Sequence, residues 1–89
     1  MQTRIIRVSG KEELVSPANT ESFTLRELQD IVGGFIEFIQ FPDYVMIINE
    51  EGKVDNLQEN VKATQMYQEK VPNGVIVGDV VVCDKSLID

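Results

Sequence analysis

The stretch TLRELQDIVGGFIEFIQF, residues 24–41, reads as a capped helix that stops at a glycine pair and turns straight into a strand. Thr24 and Glu27 have the spacing of a capping box. The threonine hydroxyl accepts from the backbone N–H three residues on, and the glutamate reaches back to the threonine's own N–H. Phe23 before the cap and Leu28 inside the first turn are placed for a hydrophobic staple. Leu25, Leu28, Ile31 and Val32 recur at helical spacing and define one apolar face. Gly33 and Gly34 end the helix, because glycine enters the left-handed cap conformation without a Cβ penalty. Residues 35–41 are then aromatic and β-branched, as a strand requires.

Pro42 and Asp43 break this strand and residues 44–48 begin another, a spacing that predicts a hairpin. Residues 3–8 form a β-branched run fit for a first strand, and a turn at Ser9-Gly10-Lys11 lets residues 12–15 pair back. Residues 53–57 are expected as a short extended segment. Asn60 is a good N-cap for a second helix over residues 61–69, with Ala63, Met66 and Tyr67 sharing a face. Residues 75–83 are β-branched and interrupted by Gly78-Asp79. They read as one long strand kinked at the glycine, or as two strands meeting there. The expected fold is a single small α+β domain over residues 1–89. Its sheet of about four to six strands is mixed or mainly antiparallel, with two helices packed on one face. A flat apolar edge strand would support pairing into a homodimer; the sequence does not say which strand that is.

The chain has 89 residues, 43% of them hydrophobic, enough for one modest core. Eight basic residues against fifteen acidic give a net charge of −7. The basic residues are scattered, which argues against direct nucleic-acid binding, since phosphate-tracking surfaces cluster Lys and Arg. The acidity would suit a basic partner surface, mimicry of nucleic acid, or simple solubility. One cysteine, Cys83, cannot make an internal disulfide and fits a reducing compartment, so a cytoplasmic location is expected in whatever cell makes the chain. No apolar stretch is long enough to span a membrane, and the first ten residues do not resemble a signal peptide.

Candidate chemistry is sparse. There is no histidine, which removes the commonest general base and metal ligand, and one cysteine cannot seed a zinc site. No catalytic residue, metal site or cofactor is therefore expected. Carboxylates remain: Glu37 and Asp79 sit within apolar strands and would titrate high if buried, or else project from the solvent side of a half-covered sheet. Asn49, Glu50, Glu51, Asp55 and Asn56 surround Gly52, yet their order lacks the ligand register of a calcium loop and suits a solvated turn. Gly33-Gly34 follows a helix rather than preceding one, so it is a stop and not a phosphate loop. Cys83 among valines reads as a small buried hydrophobe. Phe35, Phe38, Phe41 and Tyr44 lack the cationic neighbours of a base-stacking surface and read as core.

Four segments together resemble a family of small proteins found in phages, plasmids and Gram-positive bacteria and catalogued as a domain of unknown function. They are LRELQDIVGGFIE (residues 25–37), NEEGK (49–53), Leu57 with Asn60 and Ala63-Thr64, and VGDV (77–80). The resemblance covers roughly residues 25–82 and brings no catalytic residues. It implies a mobile-element setting, in which small acidic accessory proteins bind and block host factors, including in counter-defence. The leading expectation is thus a non-enzymatic accessory protein that binds a host protein through Asn49, Glu50, Glu51, Lys53, Asp55 and Glu59. The alternative is a small-molecule or nucleotide binding module with Asn49, Asn60, Thr64 and Asp79 lining a pocket between sheet and helix. A third reading is an enzyme using Glu37 and Asp79 alone.

Overall fold

The structure, a computed structural model, describes residues 2–19 and 21–88. Five strands form one sheet: β1 (Arg4–Ile6), β2 (Glu12–Leu14), β3 (Ile36–Gln40), β4 (Val45–Asn49) and β5 (Val80–Cys83). Their spatial order is β2-β1-β5-β4-β3, and every pairing is antiparallel. The strand latest in sequence therefore fills the centre. Two helices complete the fold, α1 (Leu25–Val32) and α2 (Val61–Tyr67), with a 3-10 turn at Lys85–Leu87. The α+β class, the antiparallel sheet and both helices agree with the sequence reading.

The entry to α1 follows from its sequence. Thr24 Oγ1 accepts from Glu27 N at 3.1 Å, while Glu27 Oε1 accepts from Thr24 N at 2.9 Å, so both halves of the capping box are made. Phe23 and Leu28 are both buried in one cluster, completing the staple. Gly33 closes the helix at φ +84°, donating to Gln29 O at 2.8 Å. Any residue with a Cβ would be strained there. Leu25 departs from expectation: it is 59% exposed, one turn before Gln29 on the flank of the helix rather than in the core.

The helices occupy opposite faces of the sheet, which corrects the one-face expectation. Val45, Ile47, Val81 and Cys83 join Leu28 and Val32 in one buried cluster. Met46, Val80 and Val82 join Ala63 and Ile76 in another. Successive residues of a strand point to opposite sides, so β4 and β5, buried along their length, need cover on both. Each such aliphatic side chain contributes about 1.5–3 kcal/mol on burial.

Three further expectations are adjusted. Residues 53–57 are wound in turns rather than extended, with Asp55 N donating to Glu51 O and Leu57 N to Gly52 O, both at 2.9 Å, and with Asn56 at φ +56°. The run 75–83 divides at Gly78, which takes φ +81°, and only its second part belongs to the sheet. Its first part bridges Glu59 through Val77 and lies against α2. A side chain at position 78 would also meet Leu57 at 2.8 Å. The second helix stops at Tyr67, two residues before its expected end.

Candidate functional site

The candidate contact residues divide by burial into a buried frame and an exposed loop. Asn60 is 0% exposed. Its Oδ1 accepts from Ala63 N at 3.1 Å, capping α2, and its Nδ2 donates to Ile6 O at 2.8 Å and Gly78 O at 3.0 Å. One amide thus joins the second helix, the end of β1 and the glycine before β5. Thr64 clasps Ile76 from both sides: its hydroxyl accepts from Ile76 N at 2.9 Å and donates to Ile76 O at 3.2 Å. Asn60 N donates to the same carbonyl at 2.8 Å. These polar atoms are consumed by the fold, as buried polar groups must be.

Asn49, at the end of β4, is also buried. Its Nδ2 donates to Val32 O at 3.1 Å, satisfying an end carbonyl of α1, and its Oδ1 accepts from Glu51 N at 2.8 Å. Gly34 passes directly over this amide, where an added Cβ would lie 3.0 Å from Nδ2. Asn49 therefore sets where the following loop starts. Gly78 N donates to Gln58 O at 2.8 Å and sets where it ends. Between these anchors Glu50, Glu51, Lys53 and Asp55 are all exposed, and Glu59 is exposed immediately after the second, where it bridges Val77.

Asp79 is held in an ion-pair cluster missed by the sequence reading. Its Oδ2 meets Arg7 Nη1 at 2.8 Å and its Oδ1 accepts from Val8 N at 2.9 Å; Arg7 Nε also reaches Glu13 at 2.6 Å. The hydrogen bond from Arg7 holds the Glu13 carboxyl below the ordinary glutamate range, and the two carboxylates raise the Arg7 guanidinium. A residue separation of 72 between Arg7 and Asp79 kept this pair from view. Glu37 is exposed on β3, as the solvent-side reading had it. Cys83 is buried, and burial pushes its thiol up to about 11, which suits a core residue.

The four residues expected to line one pocket do not converge. Asn49 borders a groove of about 240 Å³, together with Glu37, Ile48, Lys53, Tyr67 and Ile76. Asp79 borders a separate cleft of about 280 Å³ beside Leu57 and Gly78. Asn60 and Thr64 lie beneath the surface. Glu37 and Asp79 likewise fall in different clefts, so the carboxylate pairing is not assembled. Among the described residues, no cluster of three or more His, Cys, Asp or Glu side chains is arranged to hold a metal ion, and no helix is long and apolar enough to cross a membrane.

The fold and its loop define a small α+β sheet domain with a helix on each face and an anchored acidic loop. The chain belongs to the family described as Domain of unknown function (DUF3846), whose model matches residues 2–87. That match extends the resemblance to include β1, β2 and the loop before Thr24. Comparisons with curated proteins and with solved structures give no match.

Proposed function

We propose that this chain is a non-enzymatic binding protein that docks a basic surface of a host protein, in the setting of a phage or mobile element. One observation carries the reading: Glu50, Glu51 and Asp55 are exposed on a loop anchored at both ends by Asn49 and by the bond from Gly78 to Gln58, and Glu59 is exposed just past its second anchor. A loop already ordered gives up little conformational entropy on binding. Clustered carboxylates of one sign also speed the encounter with a cationic partner. The mobile-element setting rests on the family resemblance alone.

The test is retention of a partner from host-cell lysate on the immobilised chain. Raising salt should release the partner, and charge reversal at Glu50 and Glu51 should abolish retention without lowering the melting temperature. Equal retention by the reversed variant would sink the reading.

The groove beside Glu37, Lys53 and Tyr67 favours a second reading, a site for a small polar ligand. It combines apolar walls from Ile39 and Ile48 with a few polar groups, as ligand sites do. A thermal-shift screen of nucleotides would detect occupancy, since ligand at a hundred times Kd adds about 2.7 kcal/mol. An unmoved melting temperature across the panel would eliminate it.

A further inference from the structure

The geometry points to β3 as a self-pairing edge: two copies of this chain join antiparallel through Ile36–Gln40, about a two-fold axis at Phe38. The two edges of the sheet are treated differently. β2 has three residues and carries Glu12 and Glu13, with Glu12 paired to Arg4 and Lys62 and Glu13 to Arg7. Short, charged edges of this kind discourage strand addition. β3 has five residues, a single charge at Glu37, and two exposed aromatics beside its open side, Phe35 at 66% and Phe38 at 42%.

The ladder shows which backbone groups are open. Glu50 N donates to Phe35 O at 2.8 Å and Phe41 N to Tyr44 O at 3.0 Å. Hydrogen-bonded pairs alternate along an antiparallel ladder, so the odd-numbered residues of β3 face β4. Ile36, Phe38 and Gln40 turn their N–H and C=O groups outward. Lys70 supports this assignment, because its Nζ donates to the outward Gln40 carbonyl at 2.7 Å.

Self-pairing fits this pattern in one register. With the axis at Phe38, Phe38 pairs with Phe38, Ile36 with Gln40, and every outward donor meets an acceptor. Glu37 then stands opposite Ile39, so no like charges oppose. With the axis at Glu37, two carboxylates would face each other, which is destabilising. With the axis at Ile39, Ile36 would face Pro42, which has no N–H to give. The strand thus complements itself in charge and in hydrogen bonding. Phe38 and its copy form a cross-strand aromatic pair. At roughly 200 Å² for a whole phenylalanine, Phe35 and Phe38 alone offer about 200 Å² per protomer, and the paired backbones add to it. Two copies of that apolar area, about 400 Å², fall below the roughly 1,000 Å² of a stable interface, so the pairing is a weak, reversible dimer.

The net charge of −7 opposes association, so added salt should tighten the dimer by screening. Salt weakens the acidic-loop contact proposed above, and the two readings therefore fail separately. Sedimentation of the full chain across a concentration series tests the pairing. A dimer that tightens with salt, tightens further in Lys70→Ala and weakens at least about tenfold in Phe38→Lys is expected. Oxidised Phe38→Cys should give a covalent dimer, whereas Leu14→Cys at the other edge should not. Lys70→Ala that stays monomeric at the highest concentration overturns the proposal. So does a dimer indifferent to Phe38→Lys, or a cross-link formed equally well at position 14.

Discussion

The two helices cover opposite faces of one sheet, yet they are attached by different forces. Leu28 and Val32 of α1 bury apolar surface against Val45, Ile47 and Val81, and Phe23 staples the entry. α2 buries only Ala63 and Thr64 fully within its span, and its cap Asn60 is a polar residue with no exposure. The first helix is held by area and the second by oriented hydrogen bonds. Apolar burial is non-directional and tolerates rearrangement. A buried amide contributes through the cost of leaving its partners unsatisfied.

Asn60→Asp should break this contrast most severely. The acceptor for Ala63 N survives, but an oxygen replaces the donor facing the Ile6 and Gly78 carbonyls. A loss of about 4 kcal/mol is expected, read as a fall in melting temperature of at least about 16 °C for a domain of this size. Leu28→Ala on the other face should cost about 3 kcal/mol through lost burial and the residual cavity. Replacing it with Met, which keeps the volume, should restore most of that loss. Asn60 should have no comparable rescue, and a well-folded Asn60→Leu would refute the contrast. Thr64→Val keeps shape and removes the hydroxyl between Ile76 N and O, for about 2 kcal/mol by chemical denaturation.

Smaller effects belong to the end of α1. Thr24→Ala should cost about 1 kcal/mol by loss of the cap. Glu27 accepts from Thr24 N and from Ala18 N, and these bonds hold its carboxyl below the ordinary value of 4.5. A lowered folded pKa means that this stabilisation is present above that value and lost as pH falls through the folded one. Glu27→Gln keeps one accepting oxygen and replaces the other with a donor, so it should lower the melting temperature slightly at neutral pH, leave it nearly unchanged at acid pH, and thereby flatten the acid limb of the profile. An unaltered acid limb would show that the capping carboxylate contributes nothing to stability.

These differences also explain what the sequence disclosed. The Thr24–Glu27 box, the staple and the Gly33 stop are local, so their partners lie within a few residues and were legible. The hairpin of β3 and β4 was legible for the same reason. Asn60 was readable as a cap through Ala63, three residues away, but its bond to Ile6 spans 54 residues. Two-sided burial was written in the unbroken apolar runs of β4 and β5, which a half-covered sheet would have interrupted with polar residues. The carboxylates of the loop were recognisable as solvated. That Asn49, Asn60 and Thr64 serve the frame rather than a surface depends on tertiary partners, which spacing alone does not provide.

The order of the strands has a consequence for synthesis. β5 lies between β1 and β4, and it is the last of the five strands to leave the ribosome. Until residue 83 emerges, β1 with its hairpin partner β2, and β4 with β3, are separate ribbons whose central edges lack a mate. Two-stranded ribbons are marginal in water, and at about 5–20 residues per second the nascent chain spends seconds in that state. Val80–Cys83 gives both hydrophobic clusters a shared wall. A ribosome stalled before that strand would hold a chain with two open apolar edges, a natural substrate for chaperones.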